Sequence, residues 1–176
     1  MGIPKEFEKE KLIIGILTSQ PQRETHLNEL LEKAFGPVDF ISSKEGFNFS
    51  SYYYKEMGAP LIRYFVSFER LVDPTLLAEI KNKTNELERA LSEDGKRRFN
   101  LDPGLLALSR FILASTKNSS HRIPLKDGIY AEVELVFERG TFRPVEWTYP
   151  DYRSEFYISV LNTIRKIYKK NLQATR

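Results

Sequence analysis

Between residues 121 and 147 the sequence places a base, two acids, a guanidinium and an indole around two turn signals. His121, Glu132, Glu134, Arg143 and Trp147 flank the dipeptides Asp127-Gly128 and Arg139-Gly140. Asp-Gly suits a type I′ hairpin, whose two central residues both need positive φ. A two-residue turn there pairs His121 with Glu134 and Ile123 with Glu132. A second turn at Arg139-Gly140 pairs Arg143 with Val136 and Trp147 with Glu132. Side chains directly opposite share a face, about 4.5–5.5 Å apart at Cβ. One face would carry His121, Glu132, Glu134, Arg143 and Trp147. The other would carry Ala131, Val133, Leu135, Phe137 and Phe142. A carboxylate beside an imidazole tunes it as a general acid or base, which makes His121, Glu132 and Glu134 the candidate catalytic groups. The same set also reads as a solvated cross-strand ion pair, and a slip of one residue in either turn dissolves it.

Three further stretches carry polar chemistry with two readings each. In the cluster Arg97-Arg-Phe-Asn-Leu-Asp-Pro-Gly104 the part from Asn100 to Gly104 is turn chemistry, an Asp that caps, a Pro that fixes φ and a Gly that accepts positive φ. Read functionally, Asp102 holds a metal or a ribose hydroxyl at a strand end. In Ser115-Thr-Lys-Asn-Ser-Ser-His-Arg122 the hydroxyls, Lys117 and Arg122 cradle a phosphate, or form a polar loop between strands. In Trp147-Thr-Tyr-Pro-Asp-Tyr152 the rings of Trp147, Tyr149 and Tyr152 stack on a base or sugar beside Asp151, or plug the end of the core. Tyr52 to Tyr54 with Glu56 poses the same alternative. Arg63 adds positive charge, and Glu56, Asp102 and Glu132 would compose a carboxylate metal site. The basic end Arg165, Lys166, Lys169, Lys170 and Arg176 reads as a nucleic-acid surface or as a solvated helix face.

The elements that must position these residues follow from hydrophobic period and punctuation. Residues 1–10 read as a frayed, charged end. Residues 11–18 form a continuous apolar run, the mark of a strand buried on both faces. Ser19 and Gln22 have capping-box spacing ahead of a helix bearing Leu27, Leu30, Leu31, Ala34 and Phe35, which Gly36-Pro37 stops. Residues 38–42 and 46–49 read as a bent or broken strand, and 61–72 as a long one. Asp73-Pro74 caps a helix through Leu76, Leu77, Ile80, Thr84, Leu87 and Leu91. Strand signals return at 98–101 and 111–115. Ser154 or Asp151 caps a last helix that turns Tyr157, Val160, Leu161, Ile164, Ile167 and Tyr168 inward. Lys169 and Lys170 close it with the sign its dipole prefers. The order β-α-β-β-α-β predicts an α+β protein, a ferredoxin-like antiparallel sheet extended by a C-terminal β-meander and a terminal helix. No linker or repeat interrupts it, so residues 1–176 read as a single domain.

Composition removes whole classes of chemistry. The 176 residues include no cysteine and two histidines, which excludes disulfides, thiolate metal sites and cysteine nucleophiles. The net charge of +3 permits an anionic partner without requiring one. No signal peptide and no run of about 20 apolar residues is present, so a cytoplasmic location and no membrane partner are expected. The phosphate loop, the dinucleotide fingerprint, the zincin motif and the nucleophile elbow are all missing.

Tyr54-x-Glu-Met-Gly58, Asn100-Leu-Asp-Pro-Gly104, Thr116-Lys-x3-His-Arg122 and Trp147-Thr-Tyr-Pro-Asp-Tyr152 are blocks in which the chain resembles a bacterial family of uncharacterised proteins, domain of unknown function 4416. The resemblance spans nearly the whole chain, and the last block is the most distinctive. The family implies no established activity, cofactor or catalytic residue. Its members are sometimes labelled GTP-binding, a label that the missing phosphate loop does not support here. The Asn-Leu-Asp-Pro part also resembles a sequence in one small GTPase family, and the same absence separates the two. The residues together predict a small enzyme or binding domain for a phosphorylated, nucleotide-like molecule, with cofactor unknown. Its positive charge comes from Arg63, Lys117, His121 and Arg122. The alternative is a non-enzymatic module that binds protein or RNA through an open sheet face.

Overall fold

The structure, a computed structural model, describes residues 2–174. Among them nine strands form one antiparallel sheet. The strands are β1 (Glu10–Thr18), β2 (Val38–Ile41), β3 (Glu45–Gly46), β4 (Ile62–Val72), β5 (Phe99–Leu106), β6 (Arg110–Ser115), β7 (Ile123–Pro124), β8 (Tyr130–Glu138) and β9 (Thr141–Pro144). The helices are α1 (Glu24–Phe35), α2 (Tyr54–Met57), α3 (Leu77–Ala90) and α4 (Glu155–Ala174). Strands run in the order β2-β4-β1-β5-β6-β8-β7, with β3 beside β4 and β9 beside β8. The sheet is therefore not the simple four-stranded ferredoxin-like one that the element order predicts. No helix among the described residues is long and apolar enough to cross a membrane.

The continuous apolar run of β1 has a physical cause, because helices cover both faces of the sheet around it. Leu12, Ile14 and Ile16 pack with Leu27 and Leu31 of α1, with Leu77 and Ile80 of α3, and with Tyr64, Val66 and Phe68 of β4. Ile13 belongs to the opposite core, with Phe65, Phe111, Leu135, Phe142 and the inner face of α4. Tyr157, Val160, Leu161, Ile164 and Tyr168 supply that face at helical spacing. Lys11, wholly buried at the same strand, is neutralised by Asp39 and also bonds Asn171 Oδ1 at 2.9 Å. Helices thus cover both faces of the sheet in the half built from β1, β4 and β5.

Local readings differ from the structure at instructive places. Glu10 is not frayed; it opens β1, buried, with Arg110 Nη2 at 2.6 Å. Ser19 forms no capping box, because its hydroxyl donates to the Met57 carbonyl and a 3-10 turn at Pro21–Arg23 precedes α1. Asp73 does cap, accepting from Thr75 N at 2.9 Å. Ser154 takes the cap of α4, accepting from Tyr157 N at 3.3 Å. The largest correction concerns Asn100-Leu-Asp-Pro-Gly104, which is not a turn but the interior of β5, paired with β1 from Phe99↔Thr18 to Leu106↔Lys11.

That strand tolerates a proline because its far edge is open there. β5 pairs with β6 only over Gly104↔Leu113 to Leu106↔Phe111. Before Gly104 the two strands part, and the backbone of Leu101 turns to α3 instead. Its N–H donates to Glu88 Oε1 at 2.6 Å, and its carbonyl accepts from Lys81 Nζ at 2.8 Å. Pro103 faces the same side as Leu101, so its missing N–H costs no ladder bond. Gly104 marks the last point of contact: a Cβ would lie 2.5 Å from the Ile112 carbonyl and 2.6 Å from the Phe111 ring.

Candidate functional site

The parting of β5 and β6 opens a cleft of about 500 Å³, within the size range of small-molecule sites. Its floor is laid by Arg63 of β4, Asn100 and Asp102 of β5, Leu113 of β6 and Glu132 of β8. Lys81 and Glu88 of α3 close one side, and Ser115, Thr116 and Lys117 continue from the end of β6. Aromatic side chains form the rest of the wall, among them Phe49, Tyr52 and Tyr149, which are exposed at its mouth.

Arg63 is the centre of the floor, 4% exposed and shared between two aspartates. Its Nη1 lies 2.8 Å from Asp102 Oδ2 and its Nη2 3.4 Å from Asp151 Oδ2. The guanidinium fits because position 15 is glycine; a Cβ there would sit 3.2 Å from Arg63 Nη1 and 3.3 Å from the Tyr152 hydroxyl. The two aspartates are pushed in opposite directions. Burial opposes ionisation of Asp102, but Arg63, Lys81 and an Asn100 Nδ2 bond at 2.8 Å outweigh it and hold its carboxyl below the usual range. Burial pushes the Asp151 carboxyl up, the charge of Asp102 adds to that, and the longer contact to Arg63 does not compensate. Arg63 Nε and the hydroxyls of Tyr152 and Tyr157 are buried with no hydrogen-bond partner among the described residues.

Arg97 binds the α2 segment to this floor. It holds Glu56 through Nε at 2.8 Å and Nη2 at 2.7 Å, Asn100 Oδ1 at 3.0 Å and Glu88 Oε2 at 3.3 Å. The fork saturates Glu56 and keeps its carboxyl below the usual range, chiefly by hydrogen bonding.

The 121–147 region gathers a different set from the one hairpin pairing predicts. Both turns form as expected, with positive φ at Asp127, Gly128, Arg139 and Gly140. At the first, however, Leu125 N donates to Ile129 O, leaving Lys126 as an extra residue. The pairing becomes Ile123↔Ala131, one residue away from the expected register, so His121 does not stand opposite Glu134. A second irregularity, between Phe111↔Leu135 and Ile112↔Val133, sets Glu134 in a bulge of β8. Beyond the bulge the strand's faces exchange: Leu135 and Phe142 pack beneath α4, while Ala131 packs on the α1/α3 side.

Glu132 is the carboxylate that His121 meets, with Nε2 to Oε2 at 2.8 Å, while Arg122 Nη2 takes Oε1 at 3.0 Å. His121 also bonds Ser119 Oγ through Nδ1 at 3.1 Å and stacks on Trp147, the ring centroids 5.2 Å apart. Arg122 reaches the Tyr149 hydroxyl and donates to the Lys117 carbonyl at 2.8 Å. Trp147 lies beyond β9 rather than paired with Glu132, its indole N–H donating to Val133 O at 2.8 Å. Glu134 serves the loop that carries Tyr149 and Asp151, accepting from Tyr149 N at 2.6 Å. Burial, then the charges of Glu132 and Asp151, push its carboxyl up to about 8. Arg143 pairs with Val136 as expected but is exposed, its side chain bonding the Glu138 carbonyl.

The structure therefore brings Arg63, Asn100, Asp102, Lys117, Glu132, Tyr149, Asp151 and Tyr152 to one cleft. His121 and Arg122 stand behind Glu132, Trp147 behind His121, and Glu134 beneath the loop, while Arg143 lies apart. Glu56, Asp102 and Glu132 are held by separate cations, Arg97, Arg63 and the His121–Arg122 pair, and compose no shared metal site. No group of three or more metal-ligating side chains occurs among the described residues. Sequence reasoning missed Lys81 and Glu88, and it placed Arg97 at the head of the block ending at Gly104 without giving it a role. A signal for the first two existed: Lys81, Thr84 and Glu88 recur at helical spacing within the buried stripe of α3.

The chain belongs to the family described as Domain of unknown function (DUF4416), whose model matches residues 8–168. No curated protein and no solved structure matches the chain.

Proposed function

We propose that this member of the DUF4416 family binds a small phosphorylated, nucleotide-like molecule in the cleft between β5 and β6. One observation carries the reading: among the cations lining the cleft, the side chain of Lys117 alone has no hydrogen-bonded acceptor among the described residues. Arg63 is committed to Asp102 and Asp151, Arg97 to Glu56, Glu88 and Asn100, and Lys81 to the Leu101 carbonyl. The Lys117 ammonium instead sits 4.9 Å from the centre of the Tyr52 ring. It also stands beside the hydroxyl-bearing Ser115 and Thr116. An ammonium with open donors at the mouth suits a phosphate, and the exposed faces of Tyr52, Phe49 and Tyr149 suit a planar ring. Arg122, bonded to the Lys117 carbonyl, positions this loop.

The reading places the protein in the cytoplasm, in keeping with its lack of cysteine. It treats β2-β4-β1-β5 as a ferredoxin-like unit to which the other strands were added. A module binding protein or RNA is less well supported, because helices occupy both faces of that unit. The test is a thermal-shift series with inorganic phosphate, ribose 5-phosphate and the four ribonucleoside monophosphates, on the wild type and Lys117→Ala. Binding at a hundredfold excess over Kd stabilises by about 2.7 kcal/mol. At least one phosphorylated compound should raise the melting temperature, and Lys117→Ala should weaken that response. A response from unphosphorylated nucleosides alone, or none at all, would overturn the reading.

A further inference from the structure

Hydrogen-bond acceptors mark the other end of the cleft. Four carboxylates line it. Both oxygens of Glu132 are taken, by His121 and Arg122. Both oxygens of Glu88 are taken, by Leu101 N and Arg97. Asp102 uses only Oδ2, which accepts from Arg63 and Asn100, so its Oδ1 has no hydrogen bond among the described residues. Asp151 meets Arg63 through a single contact at 3.4 Å. Unused acceptor capacity therefore collects at Asp102 and Asp151, on the two sides of one guanidinium. Beside them the Tyr152 hydroxyl and Arg63 Nε, on residues 2% and 4% exposed, lack partners among the described residues.

Buried polar atoms left unmatched are rare because each one destabilises the fold. Two of the eight such atoms among the described residues, Arg63 Nε and the Tyr152 hydroxyl, belong to residues that line this cleft beside the unused oxygens of Asp102 and Asp151. Carboxylate oxygens repel a phosphate, so the anionic end of a ligand belongs at Lys117 and a donor-bearing end at the floor. Hydroxyl groups suit it best, since each donates to a carboxylate oxygen and accepts from a tyrosine hydroxyl or guanidinium N–H.

We infer that Asp102, Asp151 and Tyr152 form a hydroxyl-recognition subsite, which makes the ligand class a sugar phosphate or a ribonucleoside phosphate rather than a phosphate ester without vicinal hydroxyls. This rests on the phosphate reading and adds the orientation of the molecule, phosphate at the mouth and sugar on the floor. Asp102 and Tyr152 determine specificity by direct contact with ligand, and Arg63 positions both aspartates without being consumed by them, because its Nε stays open.

The experiment is calorimetric titration of the full chain with ribose 5-phosphate, 2-deoxyribose 5-phosphate and inorganic phosphate. The variants are Asp102→Asn, Tyr152→Phe and Lys117→Ala. Tyr152→Phe removes a hydroxyl with no partner among the described residues, so it keeps the test informative even if Asp102→Asn fails to fold. Ribose 5-phosphate should bind at least about tenfold more tightly than its 2-deoxy analogue, the worth of one hydrogen bond to a charged group. Tyr152→Phe should weaken ribose 5-phosphate while leaving inorganic phosphate unchanged, and Lys117→Ala should weaken all three. Equal affinity for both sugars, with Tyr152→Phe without effect, would overturn the subsite and leave the phosphate reading standing. Failure of all three compounds to bind would remove both.

Discussion

Replacing Glu134 by Gln should make the protein less sensitive to alkaline pH, and the structure fixes the sign and size of the effect. Glu134 is wholly buried beneath the loop that carries Tyr149 and Asp151. Its Oε1 accepts a hydrogen bond at 2.6 Å and its Oε2 has no partner. Burial, Glu132 and Asp151 raise its pKa from the ordinary 4.5 to about 8, against the opposing pull of the Tyr149 N–H and Arg122. The unfolded chain gives up this proton near pH 4.5, whereas the fold keeps it until about pH 8. Within that window the unfolded state binds fewer protons, so stability falls as pH rises, by about 1.4 kcal/mol per pH unit, and levels off above it. From pH 5.5 to 7.5 the loss amounts to about 3 kcal/mol. Glutamine keeps the acceptor for Tyr149 N and has no proton to lose. Every other titrating group is shared, so the difference between the two proteins isolates Glu134. Urea denaturation followed by circular dichroism at half-unit steps of pH measures it. Glu134→Gln should gain steadily on the wild type as pH rises. Parallel stability curves between pH 5.5 and 7.5 would refute the reasoning.

Two further outcomes follow from the floor of the cleft and the edge that opens it. Arg63→Met leaves Asp102 and Asp151 without their shared cation and should cost about 3–5 kcal/mol of stability, read as a lower urea midpoint; the triple variant that also carries Asp102→Asn and Asp151→Asn should recover part of that loss, and no recovery would show that unpaired charge is not the cause. Gly104→Ala drives a methyl group into the Ile112 carbonyl and the Phe111 ring, an overpacking worth about 1–3 kcal/mol. The melting temperature should fall by about 2–4 °C per kcal/mol, and an unchanged value would mean that β5 and β6 are free to move apart at Gly104.

Much of the scaffold was legible because it depends on period and punctuation. The unbroken run of β1 announced burial on two faces, and the stripe from Tyr157 to Tyr168 announced α4. Asp73-Pro74, Ser154 and the four positive-φ turn residues marked boundaries through their own backbone preferences. Asn100-Leu-Asp-Pro-Gly104 misled because its turn chemistry is local, whereas the backbone there obeys β1 on one side and α3 on the other. The strand tolerates the proline at an edge with no ladder bond to lose, and it requires the glycine where two strands touch.

What the sequence determined by itself was therefore most of the elements, and its polar blocks supplied several of the residues that line the cleft. What only the tertiary structure decided was who faces whom. One extra residue at Lys126 and one bulged residue at Glu134 moved His121 onto Glu132 and exchanged the faces of β8, and neither leaves a mark in composition or period. Pairing register is a global property, fixed by the fit of two cores on either side of the sheet, so a shift of a single residue re-aims every side chain beyond it.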